Sequence, residues 1–232
     1  MDVMFWCLLA LAVVTAVLFV VFSNGQKSFL SLSLKTLASF CFTVLAFSAI
    51  LVKGVSVPTW LFCLGFVVSC FGDIILALPD MQELRARSIM ITLIGGLCFA
   101  VAHVFYLSAM FVAFGFEWWT LLVAVALGAV FYWGNKAIGK LQYGTLSVGM
   151  GVYALFVSLV TAVSITAITN GVNLVGGIMM LCGFVFFWLS DIVLMNIYFG
   201  NKPEKKTKLY CFNLAFYYIG QILIASSLWL LF

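Results

Sequence analysis

Hydrophobic stretches of 18 or more residues recur along the whole of this chain, separated only by short polar breaks. A run of that length, coiled as a helix, crosses the hydrocarbon of a bilayer, and several in series are the signature of a polytopic helical bundle. The runs lie near 4–22, 29–52, 59–78, 88–114, 118–138, 145–169, 174–198 and 209–232, which predicts an all-α membrane protein with a bundle of about eight transmembrane helices. Composition agrees, because 66% of the 232 residues are apolar and 8% are charged, against roughly a quarter charged in a soluble domain. The first run carries Asp2 where a signal peptide has a basic region, so it reads as a spanning helix. Seven cysteines lie scattered inside apolar segments with no C-x-x-C pair and read as packing residues. Residues 1–232 are thus expected to form a single transmembrane domain, with any chemistry among the helices or at their ends.

Sliding the chain on itself by 118 residues lays the first four runs on the last four. Gly65-Phe66-Val67 falls on Gly183-Phe184-Val185, Gly72-Asp73-Ile74-Ile75-Leu76 falls on Ser190-Asp191-Ile192-Val193-Leu194, and His103 falls on Gln221. This predicts two parallel four-helix repeats, halves 1–116 and 117–232, related by a pseudo-twofold axis along the membrane normal. The odd-numbered breaks and their flanks hold Lys27, Lys35, Arg85, Arg87, Lys136, Lys140, Lys202, Lys205, Lys206 and Lys208, whereas the other side holds Lys53. By the positive-inside rule the basic side is cytoplasmic, and both termini are expected outside. A net charge of +4 spread over four loops is a topology signal with some attraction for anionic headgroups, and no nucleic-acid partner is expected.

Of the seven acidic residues, Asp2, Asp80, Glu83, Glu117 and Glu204 fall in breaks or at the terminus, leaving Asp73 and Asp191 within spans. An ionisable group in a bundle costs several kcal/mol unless partnered or neutralised, so it is usually placed by function. Helical rise puts each roughly 5–10 Å inside the cytoplasmic end of its helix. If the two carboxyls converge, their repulsion leaves one protonated beside one ionised, an acid next to a base. The competing structural role is a neutral aspartate bonded to a neighbouring helix. Lys35 lies at a depth similar to Asp73 and is either its partner or a snorkelling interfacial residue.

His103, the one histidine, shares a helical face with Gly96, Ala100 and Leu107, whose small members are expected to admit another helix close to the imidazole. It lies about 10 Å or more deeper than Asp73. Asn213, Tyr217 and Gln221 form a polar stripe at i, i+4 and i+8, which is expected to face away from lipid as interhelical glue or substrate contact. Tyr106, Tyr153, Ser190 and Asn196 are further candidates of that kind. No H-E-x-x-H, cysteine cluster, G-x-S-x-G elbow or P-loop occurs, so no metal or other cofactor, no serine-lipase chemistry and no ATP-driven pumping are expected.

Gly72-Asp73 followed by Ile74, Ile75 and Leu76, then Gly96-Leu97 with Ala102-His103 and Tyr106, then Phe187 with Ser190-Asp191 and Leu194, and finally Tyr217-Tyr218 with Gln221, resemble the YhhN family of lysoplasmalogenases. The resemblance runs from the second helix to the eighth and takes in Lys35; Thr36, where proline is expected, departs from it. It implies hydrolysis of the sn-1 vinyl ether bond of a lysoplasmalogen to a fatty aldehyde and a glycerophospho-base. In that reading one of Asp73 and Asp191 is the general acid, and the other stabilises the oxocarbenium ion and activates water. His103 and Tyr106 position the water or the ether oxygen, and Lys35 with the loop cations holds the phosphate. The partners are a lysolipid substrate entering from the membrane and the membrane lipids themselves; the cell membrane is the expected location, and no oligomeric state is implied. The competing class is a transporter or channel for a lipid or small solute, which needs a polar path to both faces, whereas the ionisable residues here cluster toward one.

Overall fold

Inside a bilayer no water hydrogen-bonds an exposed N–H or C=O, so an apolar run must close its backbone bonds within itself. The computed structural model describes residues 3–23, 29–78, 85–200 and 206–232, leaving aside the side chains of Ser23, 85–89 and 206–207. Its helices are α1 (Val3–Ser23), α2 (Phe29–Lys53), α3 (Val57–Ala77), α4 (Arg85–Phe114), α5 (Trp119–Ile138), α6 (Ser147–Val163), α7 (Thr166–Thr169), α8 (Leu174–Phe199) and α9 (Lys206–Leu231). A 3-10 turn at Gly144–Leu146 leads into α6 and α7 continues it, so that Gly144–Thr169 makes one span. Eight spans of 20 to 26 residues result, each about 30–39 Å long. The protein is an all-α, multi-pass membrane protein. Asp2, Lys27, Asp80, Glu83, Lys202, Glu204 and Lys205 lie outside the described residues, as do the side chains of Arg85, Arg87 and Lys206.

The solvent is legible in what the helices bury. Val3, Leu51, Ile138, Val148 and Val172 point outward, whereas Lys35, Ser39, Asp73, His103, Asp191 and Gln221 are enclosed. That distribution suits a chain whose surroundings are hydrocarbon, since polar groups then find partners only inside.

Turn chemistry sets where the helices reverse. Gly54 takes a φ of +95°, donating its N–H to the Ile50 carbonyl at 3.0 Å, and Gly115 does the same after α4 with a φ of +82°; residues with a Cβ pay for that conformation. Two residues past Gly54, Ser56 caps α3 in a reciprocal box with Thr59. Asn173 caps α8 by accepting the Gly176 N–H at 2.9 Å.

The chain divides into two compact units, residues 1–109 with Phe232, and residues 110–231. In the first, α1 packs on α2 and α2 on α3, around Phe42, Phe62, Phe66 and Tyr106, whose rings meet at 5.4–5.9 Å. Gly65 lies directly beneath the Tyr106 ring. In the second, α5 pairs with α6 and α8 with α9. The α8–α9 crossing is closest at Gly183 and Gly220: a Cβ on Gly183 would stand 2.9 Å from the Gly220 carbonyl oxygen, and one on Gly220 would stand 2.8 Å from that of Gly183. Both obstacles are backbone, so nothing can swing aside. Gly183→Leu is therefore expected to cost about 1–3 kcal/mol or more of stability by forced separation of the helices. Gly96→Leu, with nothing within 4 Å of its added Cβ, serves as the control. Thermal unfolding in detergent reads both, and equal midpoints would place the crossing elsewhere.

Candidate functional site

Two buried carboxyl centres stand out, one in each unit. In the first, Asp73 lies four residues before the end of α3 and Lys35 six residues after the start of α2, so in these antiparallel helices both sit roughly 6–9 Å inside the same end. Lys35 Nζ is 3.1 Å from Asp73 Oδ1. Ser39, one turn along α2 from Lys35, donates its hydroxyl to Asp73 Oδ2 at 2.6 Å. Each carboxyl oxygen thus has a partner, one of them a cation, and the lysine and aspartate are 7% and 1% exposed. Such a charge-assisted arrangement gives a carboxyl buried among apolar helices both a cation and a hydroxyl as partners. Of the two roles open to Lys35, pairing with Asp73 is the one seen in the structure.

His103 belongs to the same unit but not to the same level. The α3–α4 crossing sets Gly72 against Gly95 and Phe99, and Gly65 against Tyr106, so His103 falls roughly 8 Å deeper than Asp73 along α3. Its Nδ1 is 2.7 Å from the Phe99 carbonyl oxygen one turn back on its own helix. On the face that Gly96 and Ala100 share with it, the imidazole is fully buried, whereas both small residues are half-buried. Gly95, Phe99, Ala102 and Tyr106 are buried, while Gly96 meets nothing within 4 Å among the described residues. The reason is register: Gly95, one residue earlier, is the small residue that opposes Gly72 and Leu76. Tyr106 is fully buried and its hydroxyl lies 3.3 Å from Ser69 Oγ.

In the second unit the Tyr153 hydroxyl donates to Asp191 Oδ2 at 2.8 Å. Asp191 is 5% exposed, and among the described residues it has no ion-pair partner. The expected polar residues of α9 are buried here too. Asn213 Nδ2 donates to the Ser190 carbonyl and hydroxyl oxygens, both at 2.9 Å, and Ser190 Oγ donates back to the Asn213 carbonyl at 3.2 Å. This reciprocal clasp fixes α8 to α9 immediately beside Asp191. Gln221 Nε2 donates to the Tyr217 hydroxyl at 3.2 Å, so the stripe faces inward as expected. Asn196 lies apart from the carboxyl, donating to Asn135 Oδ1 at 2.7 Å and to the Ile192 carbonyl at 2.8 Å.

The two centres correspond residue by residue. Lys35 and Tyr153 each precede their aspartate by 38 residues, and the same 118-residue offset carries Gly65 against Tyr106 onto Gly183 against Ile224, and Gly72 against Gly95 onto Ser190 against Asn213. The profile of the YhhN family matches residues 30–228. The chain belongs to the YhhN family. No curated protein and no solved structure gives a significant match. The family span takes in both carboxyl centres, leaving out only α1 and the last residues of α9.

Ser39 was not singled out by the sequence, although its place one turn from Lys35 marks it as a second α2 group on the same face. The pairing of Tyr153 with Asp191 was equally hidden, and the signal for it is the 118-residue shift, which lays Tyr153 on Lys35.

Proposed function

We propose that this YhhN protein is a lysoplasmalogenase-like hydrolase that cleaves the sn-1 vinyl ether bond of lysoplasmalogens by general acid–base catalysis drawing on Asp73 and Asp191. The observation that carries the reading is the unlike treatment of two like carboxyls, one matched by a lysine and a serine, the other held by a phenol alone. Vinyl ethers resist base but yield to an acid that delivers a proton to the β-carbon. The C=C electron pair takes that proton, the α-carbon becomes an oxocarbenium ion, water adds to it and returns a proton to the carboxylate that gave one up, and the hemiacetal passes its hydroxyl proton to the glycerol oxygen as the C–O bond breaks, leaving an aldehyde and the glycerol hydroxyl. Such a route needs a proton donor and a fixed negative charge, the division of labour that two carboxyls also adopt in glycosidases.

Asp191, the carboxyl with no cation beside it among the described residues, takes the role of donor, and Tyr153 orients it. Asp73, charge-balanced by Lys35, takes the role of stabilising the cation and orienting water. Dry surroundings strengthen both roles. His103 and Tyr106, lying deeper in α4, suit the walls of a lipid-tail passage better than proton transfer. The loop distribution of lysine and arginine supports a cytoplasmic basic side with both termini outside, and the cell membrane is the proposed location.

Purified protein in detergent is given a lysoplasmalogen and, separately, an ester lysolipid. Free aldehyde from the first and no fatty acid from the second is the expected result. Fatty acid release without aldehyde, or no product from either, would defeat the reading.

A further inference from the structure

We propose that the loop end of α5 and α6 carries a binding site for the phosphate of a lysolipid headgroup, built from Lys136, Tyr132, Tyr143, Ser147 and Asn135. The inference rests on the proposed reaction only for the choice of lipid. The charge of Lys35 is balanced by Asp73, so a phosphate gains more from a cation that has no carboxylate beside it.

Lys136 is exposed yet held in place. Its ammonium lies 4.7 Å from the centre of the Tyr132 ring and 5.9 Å from that of Tyr143, and it donates to the Tyr132 hydroxyl at 3.1 Å. The two rings stack at 5.5 Å, and the Tyr132 hydroxyl also bonds Ser147 Oγ. A cation positioned over aromatic faces keeps N–H groups to spare for an anion. Burial, with Tyr132 beside it, pushes the Tyr143 phenol above its ordinary range, so it meets an anion as a donor. Asn135, next to Lys136 in α5, is 5% exposed, and its Oδ1 accepts from Asn196. Its Nδ2 is turned toward the Tyr143 hydroxyl without closing a bond of good geometry among the described residues. An acceptor oxygen beside Tyr143 completes the hydrogen bonding of this buried amide.

Spacing ties this ring to the carboxyl of the same unit. Asn196 lies five residues beyond Asp191 on α8, and Ser147 six residues before Tyr153 on α6, which sets the ring roughly 7–9 Å nearer the helix ends than the Tyr153–Asp191 pair. From the sn-1 oxygen of a lysolipid to its phosphorus runs a chain of five single bonds, spanning roughly 6–7 Å. A phosphate at Lys136 therefore brings the ether oxygen down to the level of Asp191, with the headgroup at the loop end and the hydrocarbon chain running inward.

The test measures binding without turnover, using a saturated 1-O-hexadecyl lysoglycerophosphoethanolamine, which has no vinyl bond to protonate. By calorimetry in detergent, Lys136→Gln and Ser147→Ala are each expected to weaken its binding about tenfold, the size of one charge-assisted hydrogen bond. The phosphate-free 1-O-hexadecylglycerol is expected to bind wild type and variants alike. Unchanged affinity for the phospholipid in both variants, or equal losses for the two ligands, overturns the site. Displacement of the lipid by inorganic phosphate at equal concentration overturns its assignment to a headgroup. Lys136-dependent binding with no aldehyde from a lysoplasmalogen leaves this site standing and ends the reaction reading; aldehyde release with Lys136-independent binding does the reverse. Thermal unfolding of each variant separates lost contacts from lost fold, and Lys136, being exposed, is the substitution the fold tolerates best.

Discussion

Asp191→Asn is expected to lower aldehyde release by about 10²–10⁴-fold, the usual contribution of a positioned acid or base. Asparagine keeps the shape of the side chain and leaves an oxygen to accept the Tyr153 hydroxyl, now 2.8 Å from the carboxyl, so the α6–α8 contact survives while the transferable proton is lost. Tyr153→Phe removes only the orienting bond and is expected to fall between Asp191→Asn and wild type. Asp73→Asn is expected to lose activity to a similar extent for a different reason, because an amide offers no charge to a developing cation. Its Ser39 bond can persist with the amide oxygen as acceptor. Initial rates with a lysoplasmalogen, alongside thermal unfolding of the same preparations, distinguish a lost reaction from a lost fold. Full activity in both asparagine variants would end the two-carboxyl mechanism.

What the sequence discloses about this protein depends on how local the physics is. The eight spans are legible because length and apolarity act within one segment, and the expected bounds fall within a few residues of those observed. The inward stripe of Asn213, Tyr217 and Gln221 is legible for the same reason, since a polar group facing hydrocarbon has no partner. Lys35 and Asp73 could be matched by depth alone, as two charges near one end of antiparallel helices.

Rotational register between helices is another matter. Gly95 and Gly96 are neighbours in sequence, yet only Gly95 meets α3, and nothing short of the packing distinguishes them. Tyr153 reads as one polar candidate among several until its hydroxyl is seen on Asp191. The 118-residue shift did lay it on Lys35, but a tyrosine and a lysine share no side-chain class, so the correspondence carries no weight until both prove to address the equivalent aspartate. Lys136 shows the same limit. Counted in a loop it is a topology signal, and only its stacking over Tyr132 and Tyr143 gives it a candidate role.

Lys35→Met is expected to be the most destabilising substitution of a charged residue in the described part of the protein. Removing one member of a buried ion pair leaves the other uncompensated and costs about 3–5 kcal/mol. Ser39 offsets part of that loss by its 2.6 Å bond, but a hydroxyl supplies no charge. Neutralising both members is expected to restore most of the stability, since Lys35→Met with Asp73→Asn strands no ion, and a buried pair is often no better than its neutral replacement. The quantity to measure is therefore the coupling: unfolding free energies of wild type, both single variants and the double variant, taken in one detergent. A coupling of several kcal/mol, with the double variant close to wild type, is the expected outcome. Losses that simply add would mean that Lys35 and Asp73 unfold as independent groups, and the charge balance that assigns Asp73 its role as a carboxylate would go with them.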